Sequence, residues 1–352
     1  QDNGSYATAT FTRDARGVLN DSNWKMHWGD GQDVAINPFD HTDMYSSTEN
    51  SGFTKYNPES RDIRRITPNS RNTINYYDYF DKNEKDKRSA SRYNWSAPIV
   101  MSPFDPHTLF IGGNHLYKTS NQGKTWTIIS PDLSTNDPEK QKSSGGPITQ
   151  DNTSVEYYCT IFAAQESALQ EGLLWVGSDD GLVHLTKDGG ETWENVTPKG
   201  LRECLVNAVE VSPHDPATAY IATTRYKYND YTPALYKTTD YGKSWTNISS
   251  GIPYGSFTRV VREDASRKNL LYAGTEKGVY ISWNGGISWE PFQLNLPIAP
   301  ITDLMVHQGD LIVELLRQYP NGAASAVEAE SILTQVVGAD KFKKWWTATK
   351  KI

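Results

Sequence analysis

Short apolar runs alternate with turns rich in Gly, Pro, Asp and Asn along most of the chain, a pattern typical of antiparallel β-strands. Three of these runs end in glycine, at 109–112, 174–177 and 271–274. Turns that contain Pro and Asp precede two comparable strands, at 102–106 and 212–216, and another apolar strand precedes each turn. The pattern therefore predicts a repeated unit of four antiparallel strands, about 45 residues long, which is the blade of a β-propeller.

A turn of the form Ser/Thr-x-Asp/Asn-x-Gly-x-Thr/Ser-Trp recurs within this chain and closes four of these units, at 119–126, 186–193, 238–245 and 282–289. We call it the conserved turn, meaning that its pattern is kept from one unit to the next. Asp or Asn accepts hydrogen bonds from the backbone of the turn, and Gly takes the positive-φ position. We expect the Trp to begin the outgoing strand with its apolar face turned inward. We therefore predict structural roles, rather than catalysis or calcium binding, for Asn121, Gly123, Trp126, Asp188, Gly190, Trp193, Asp240, Gly242, Trp245, Asn284, Gly286 and Trp289.

The repeat also predicts the number of blades. Five complete blades are predicted at 27–66, 92–133, 154–197, 203–250 and 255–293, and the first of them lacks the conserved turn. Residues 1–26 have the pattern of the outer half of a blade, and residues 298–312 that of the first strands of another. We thus expect an all-β propeller over 1–312, with five complete and two partial blades out of about seven. Such a propeller is incomplete, and its open sheet edges favour association or aggregation.

Residues 313–352 have a different pattern, with apolar residues at helical spacing and a basic end. We predict a short α-helical tail there. Two interpretations remain open: the tail is foreign to the propeller, or it caps an open sheet edge.

Composition narrows the possible functions. The net charge of −7 disfavours a nucleic-acid partner. The chain has no apolar run long enough for a transmembrane segment. Its polar start shows no charged-then-apolar leader, and two interpretations stay open: a signal peptide was removed, or the sequence begins within a longer one. Cys159 and Cys204 are the two cysteines, and we expect buried free thiols. His27 and His115 lack a second histidine at metal-binding spacing, so no metal or other cofactor is predicted.

The four turns resemble the Asp-box repeats first recognised in bacterial neuraminidases. The wider pattern is similar to sortilin-type and xyloglucanase-type propellers, and most of all to glycosyl-hydrolase-like bacterial proteins of the photosystem II assembly-factor type. The stretches that carry this likeness are 1–5, 28–31 and 130–138. The resemblance implies the fold and an extracellular or periplasmic location. The arginine triad and Tyr/Glu pair of neuraminidases have no matching positions here, so sialidase activity is not predicted.

Any functional site is expected at the end of the blades opposite the conserved turns, where loops collect around the channel. The long segments 67–92 and 131–153 are predicted loops at this end. If the protein is a glycoside hydrolase, the candidate catalytic carboxyls are Asp30, Asp33, Asp179, Asp180 and Glu276. The candidate ligand-binding residues are Trp28, Glu49, Asn114, His115, Arg225, Tyr226, Tyr228 and Lys277.

Two functions fit this sequence. One is a binding module that recognises a protein or a glycan through its channel face. The alternative is a glycoside hydrolase that acts on polysaccharide, an activity implied by the resemblance alone. For each loop residue a plainer interpretation also stands, since Asp-Asp-Gly and Glu-Lys-Gly are favourable hairpin turns in any protein.

Overall fold

The computed structural model describes residues 4–8, 15, 23–27, 29–49, 51–80, 91–143, 145–148, 157–294, 296–307, 309–315 and 335–337. These residues fall into two compact units, Gln1–Asn195 and Val196–Ile352. Each unit consists almost wholly of antiparallel sheets in which strands that follow one another in sequence are paired.

In the described part of the first unit there are three four-stranded sheets, one two-stranded sheet and one short helix. The two-stranded sheet pairs β1 with β2. Sheet 1 comprises β3–β6, sheet 2 β7–β10 and sheet 3 β11–β14. Their bounds are β1 Tyr6–Thr8, β2 Asn23–Lys25, β3 Gly31–Ile36, β4 Met44–Thr48, β5 Gly52–Tyr56, β6 Ile63–Arg65, α1 Tyr76–Tyr79, β7 Ile99–Met101, β8 Leu109–Gly112, β9 Leu116–Thr119, β10 Thr127–Ile128, β11 Ile161–Glu166, β12 Leu174–Ser178, β13 Val183–Thr186 and β14 Glu194–Asn195.

The second unit has two four-stranded sheets and one three-stranded sheet among its described residues. Sheet 4 comprises β15–β18, sheet 5 β19–β22 and sheet 6 β23–β25. Their bounds are β15 Leu205–Val211, β16 Ala219–Arg225, a 3-10 turn Tyr226–Tyr228, β17 Asp230–Thr238, β18 Thr246–Asn247, β19 Thr258–Glu263, β20 Leu271–Thr275, β21 Gly278–Ser282, β22 Glu290–Pro291, β23 Ile301–His307, β24 Asp310–Leu315 and β25 Gln335–Val337.

This element order confirms the predicted all-β fold of four-stranded propeller blades. The five complete sheets lie within the five predicted blades, β1–β2 within 1–26, and β23 with the first half of β24 within 298–312. The central strands are the most buried, as in β8, β12 and β20, because both of their faces are covered. The predicted free, buried thiols of Cys159 and Cys204 are also confirmed.

Apolar packing between neighbouring sheets forms the cores. In the first unit Tyr45 and Phe53 of sheet 1 belong to one buried cluster with Ile111, Tyr117 and Trp126 of sheet 2. In the second unit a single larger cluster joins residues of sheets 4, 5 and 6. The alternation of apolar residues along each strand thus places one sheet against the next.

Each conserved turn is held by its own side chains. In the third turn Asp240 Oδ1 accepts hydrogen bonds from the Thr238 hydroxyl (2.8 Å) and the Ser244 backbone (2.9 Å). The Thr238 hydroxyl in turn accepts the backbone N–H of Gly242 (2.9 Å). The same bonds recur around Asn121, Asp188 and Asn284. These side chains therefore satisfy the turn's own backbone groups.

The tryptophan of each turn does more than was predicted. Its indole N–H donates to a backbone carbonyl far back in the sequence: Trp126 to Ile66 (2.7 Å), Trp193 to Ile129 (2.8 Å), Trp245 to Val196 (2.7 Å) and Trp289 to Ile248 (2.6 Å). The acceptors Ile66, Ile129 and Ile248 follow the last strands of sheets 1, 2 and 4, so three of these bonds join a sheet to the one before it. Both members of the Trp245–Val196 pair lie in the second unit.

The turn glycine lies against the same residue that accepts the indole bond. A Cβ on Gly123 would lie 2.6 Å from the Cβ of Ile66, and Gly242 and Gly286 approach Val196 and Ile248 equally closely. All three glycines have positive φ, between 76° and 94°. Glycine is thus required here for its backbone conformation and also for close packing.

The prediction of a helical tail over 313–352 is wrong at two places. Residues 313–315 continue β24. Gln335–Val337 forms β25, which pairs antiparallel with residues 311–313 of β24. A strand there gives hydrogen-bond partners to the backbone of β24, whose other edge is paired with β23. The predictions for 316–334 and 338–352 lie outside the described residues.

We predict that Gly123→Ala destabilises the fold more than Gly189→Ala. Both glycines have similar positive φ, 76° and 73°, so the backbone strain is matched. A Cβ on Gly189 would have no atom within 4 Å, whereas one on Gly123 would overlap Ile66. The free energy of unfolding in urea should fall by about 1–3 kcal/mol more for Gly123→Ala, the typical cost of overpacking. An equal decrease in the free energy of unfolding for the two variants would show that the contact between Gly123 and Ile66 does not limit the residue at this position.

Candidate functional site

Each sheet has two distinct ends. In the four-stranded sheets one end carries the turn between the third and fourth strands, which is the conserved turn in sheets 2–5, and we call it the repeat-turn end. The other carries the turn between the second and third strands and the start of the first strand, and we call it the loop end. In an antiparallel sheet these features necessarily lie at opposite ends. Those predicted catalytic and ligand-binding residues that the structure describes are at or near the loop ends of their sheets.

A β-bulge recurs where the first strand of a sheet leaves the loop end. The pairing register shifts at Asp33 in β3, at Asn207 in β15 and at Arg259 in β19, as well as at Phe162 and Thr302. A bulge re-aims the side chain of the extra residue. The sequence repeat did not reveal this feature, because the bulge position carries a different residue in each sheet.

Asp33 makes local hydrogen bonds that connect two sheets. Its carboxylate accepts the backbone N–H of Val34 (2.9 Å) and that of Ile99, the first residue of β7 (2.8 Å). Nearby, Glu49 Oε2 accepts the backbone N–H of Asp30 (2.8 Å). These bonds fix the loop end of sheet 1. Trp28, predicted to bind ligand beside them, lies outside the described residues.

Asp179 and Asp180 lie buried in the hairpin between β12 and β13. Asp179 accepts both the backbone N–H (2.9 Å) and the hydroxyl (2.7 Å) of Thr160, and also the amide of Asn94 (3.0 Å). Asp180 accepts the backbone N–H and the hydroxyl of Thr135, both at 2.7 Å. The two carboxyls therefore connect the turn to segments 91–97 and 131–143.

Burial raises the pKa of Asp179 well above the ordinary value of an aspartate, to about 7, although the hydrogen bonds from Thr160 oppose the rise. This carboxyl therefore exchanges its proton near neutral pH, which is a property of general acids in glycoside hydrolases. The shift makes Asp179 chemically distinct among the predicted carboxyls.

A second buried network lies beside these carboxyls and was not predicted. The guanidinium of Arg92, whose side chain is 5% exposed, pairs with Asp132 at 2.6 Å. Asp132 also accepts the amide of Asn114 (3.1 Å), whose own carbonyl accepts the backbone N–H of Arg92 (3.0 Å). Sequence patterns placed Arg92 and Asp132 in or next to loops. Their pairing depends on contacts across 40 residues, which no local pattern reveals.

His115 is buried, and its Nδ1 lies 3.0 Å from the carbonyl of Ser130. The rings of Tyr79 and Phe80 pack edge-on against the imidazole at 5.0 and 5.3 Å. Burial lowers the pKa of His115 below its ordinary value. Among the described residues no group of three or more His, Cys, Asp and Glu side chains could hold a metal ion.

In the second unit the insertion between β16 and β17 presents aromatic side chains to solvent. Tyr226 stacks on Phe257 with a centroid distance of 5.4 Å and an interplanar angle of 17°. Tyr231 contacts both Phe257 (6.1 Å) and Tyr254 (6.3 Å). Despite these contacts Tyr226, Tyr228, Tyr231 and Tyr254 are 36%, 45%, 38% and 66% exposed. Their rings are supported on one side and open on the other, which suits stacking with a ligand.

Two arginines are held among these rings by carboxylates. Arg225 lies over the ring of Tyr228 (4.8 Å) and bonds to Asp230 (3.3 Å). Arg259, at the bulge of β19, lies over Phe257 (5.2 Å) and donates through Nε (3.0 Å) and Nη2 (2.7 Å) to Glu276. Hydrogen bonds from Thr232, together with the charge of Arg202, hold the pKa of Asp230 below its ordinary value.

Together these residues form what we call the tyrosine–arginine surface: Arg202, Arg225, Tyr226, Lys227, Tyr228, Asp230, Tyr231, Tyr254, Phe257, Arg259, Glu276 and Lys277. The predicted residues Arg225, Tyr226, Tyr228, Glu276 and Lys277 all belong to it. Sequence reasoning missed Tyr254, Phe257 and Arg259. They lie 26 or more residues from Tyr228, on β19 and the segment before it, and only the tertiary fold brings them to the insertion.

A cavity of about 230 Å³ lies at the repeat-turn end of sheets 2 and 3. Phe110, Lys118 and Glu166 are among its lining residues. Glu166 accepts the backbone N–H of Gly172 (2.9 Å), and burial raises the pKa of its carboxyl. This cavity was not predicted, and it lies at the other end of these sheets from Asp179.

Comparison with known proteins supports the fold. No family model matches the chain. The probable oligoxyloglucan-reducing end-specific xyloglucanase of Neosartorya fischeri is 21% identical over 320 residues, which are 84% of this chain and 36% of that protein. An ancestral GH74 enzyme superposes with a TM-score of 0.53 at 14% identity, over 82% of this chain and 35% of that one.

A third similar structure is YCF48 bound to a D1 peptide, with a TM-score of 0.50 and 11% identity over 88% of this chain and 78% of that one. At such low identity these likenesses establish the β-propeller fold alone. The chain spans about a third of the length of the xyloglucanase and GH74 relatives. None of the described helices is long and apolar enough to cross a membrane.

We predict that Asp179 makes the fold less stable as the pH rises from about 4 to about 7. Because its pKa is raised on folding, the folded state binds more protons than the unfolded state across this window, and stability falls with pH. For a pKa shift of this size the free energy of unfolding falls by about 4 kcal/mol across this pH range. Asp179→Asn should remove this pH dependence. Urea unfolding at half-unit pH steps measures it.

Asp240→Asn is the control for this experiment. Hydrogen bonds from Ser244 lower the pKa of Asp240 to about 2, so its contribution is lost only as the pH falls from about 4 towards 2. Asp240→Asn should therefore change the stability only below about pH 4. The substitution suits the turn, because two of the other conserved turns already contain asparagine at this position. An unchanged slope between pH 4 and 7 in Asp179→Asn would contradict the assignment.

Proposed function

We propose that this chain is a binding module, and that the tyrosine–arginine surface recognises a glycan or a protein segment. The observation that carries the proposal is the set of four half-exposed tyrosines fixed around a short 3-10 turn. Exposed aromatic clusters of this kind are uncommon on a protein surface unless they bind something. Ring-to-ring contacts hold Tyr226, Tyr231 and Tyr254 in place, and the guanidinium of Arg225 lies over Tyr228, so little conformational entropy is lost on binding.

Several local features support a preformed surface. Asn229 ends the 3-10 turn in the left-handed conformation (φ 56°), and its N–H donates to the carbonyl of Tyr226 (3.0 Å). Gly255 donates to the carbonyl of Tyr231 (3.0 Å), which ties the loop before β19 to the insertion. The β16–β17 insertion therefore has its own internal bonds and does not need a ligand to define its shape.

The second candidate function is glycoside hydrolysis, and one observation favours it. Asp179 has the raised pKa of a general acid. Against this, Asp33, Asp179 and Asp180 bond to backbone groups or to neighbouring polar side chains. Such bonds account for the carboxyls as parts of the scaffold. The binding module is therefore the stronger proposal.

The relatives bear on the proposal only by analogy. One is named for action on oligoxyloglucan and another is seen with a bound peptide, and both ligand classes suit an open aromatic surface. We further propose that the four conserved turns are Asp-box repeats. An extracellular or periplasmic location is also part of the proposal, and it rests on the family resemblance.

Binding should depend on the exposed rings. We predict that Tyr228→Ala with Tyr254→Ala weakens the affinity for a ligand selected on glycan and peptide arrays by about tenfold or more, as expected for central aromatic contacts. Tyr77→Ala is the matched control, because Tyr77 is 54% exposed and lies in the first unit. Isothermal titration calorimetry on the full chain measures all three proteins.

Equal losses in the control and the double variant would contradict the assigned surface. Release of reducing sugar from an array glycan, abolished by Asp179→Asn, would favour the hydrolase instead. No ligand on either array would leave the module without the proposed function.

A further inference from the structure

The charge of the tyrosine–arginine surface differs from that of the whole chain. The chain carries a net charge of −7. On and beside the surface, by contrast, three carboxylates face five cations, Arg202, Arg225, Lys227, Arg259 and Lys277. The carboxylates are those of Asp230, Glu276 and Glu203, so the local sum is positive. A basic patch on an acidic protein attracts an anionic ligand and repels a cationic one.

The carboxylates of the surface are already engaged. Asp230 binds Arg202 (2.6 Å) and Arg225 (3.3 Å) through the same oxygen. Glu276 accepts both bonds from Arg259. These carboxylates position the guanidinium groups beside the rings, and they are already ion-paired with arginine.

Some of the cationic groups retain capacity for a ligand. Arg202 uses Nη2 for Asp230, and its side chain is 69% exposed. The ammonium groups of Lys227 and Lys277 make no ion pair with any of the described residues, and both side chains are exposed. Lys227 lies between Tyr226 and Tyr228 in the 3-10 turn, and Lys277 approaches Gly255 beside Tyr254. Positive charge is thus interleaved with exposed aromatic rings.

We propose that the ligand of this surface is a polysaccharide bearing carboxylate groups, that is, a polyuronate. This inference rests on the proposed binding function and names its ligand class. A uronate residue has an apolar ring face, which stacks on tyrosine, and a carboxylate, which pairs with lysine or arginine. The surface supplies both kinds of group at neighbouring positions.

The geometry favours a glycan over an acidic peptide. A peptide that adds to a sheet needs an open strand edge with free backbone groups. β16 is paired on both sides, whereas β17 is paired with β18 only at Tyr236 and Lys237. Nearer the insertion, the backbone N–H groups of Ala234 and Leu235 donate to the hydroxyls of Thr258 (3.1 Å) and Ser249 (2.8 Å). The backbone N–H groups of Asn229 in the insertion and of Gly255 in the loop before β19 already donate to the carbonyls of Tyr226 and Tyr231. Rings and cations remain as the available contacts, and these match a charged sugar.

The test compares one oligomer in two charge states. Oligogalacturonate and its fully methyl-esterified form share the same sugar rings and differ in charge. Calorimetry on the full chain should show binding of the acid, weakened by raising the salt from 50 to 200 mM, and weaker binding of the ester. Lys227→Glu with Lys277→Glu should lower the affinity for the acid by about tenfold or more, because two exposed attractions become repulsions.

Lys124→Glu with Lys243→Glu is the control, because it makes the same total charge change on two exposed residues of the conserved turns. It should leave binding unchanged. Equal affinity for acid and ester, unaffected by the lysine variants, would overturn the inference while the binding function stands. Binding of an acidic peptide alone would also overturn it. If neither oligomer nor peptide binds the folded protein, both the polyuronate inference and the proposed binding function are wrong.

Discussion

A hydrogen bond from a tryptophan indole to the backbone of an earlier segment fixes the arrangement of these sheets. The indole N–H of Trp126 reaches the carbonyl of Ile66, and Gly123 packs on the side chain of the same residue. The donor and acceptor are buried, so losing the bond would leave a carbonyl without a partner, at a cost of about 1–3 kcal/mol. One short turn thereby closes its own hairpin and also fastens its sheet to the preceding one.

Because this hydrogen bond is made at the repeat-turn end, the two ends of a sheet differ in which residues they require. In sheets 2–5 the Gly, the Trp and the Asp or Asn of the repeat-turn end each have a geometric role, in the turn itself or in the contact with an earlier segment. The loop ends carry no such requirement, and they differ from sheet to sheet. Sheet 3 has a buried hairpin of two aspartates, while sheet 4 has an insertion with exposed tyrosines. Diversity of function at the loop ends is therefore compatible with a uniform scaffold.

The sequence predicted the blades well because each blade repeats a local pattern. Strand periodicity, Pro and Asp turns and the conserved Trp all act within a few residues. It predicted the site less completely, because contacts such as Arg92 with Asp132 and Tyr226 with Phe257 join distant segments. The β-bulge at Arg259 was also invisible, since it has no residue signature. In the tail, a helix was predicted from the spacing of apolar residues, but residues 335–337 form a strand that pairs with β24.

The central claim is that ligand binds at the loop end of sheets 4 and 5 and not at the conserved turns. Hydrogen–deuterium exchange of the full chain, with and without oligogalacturonate, tests it most directly. We predict that the ligand slows exchange in 225–231, 254–259 and 276–278 and leaves the turns at 238–245 and 282–289 unchanged. Slower exchange confined to those two turns, with no change in the insertion, would contradict the account.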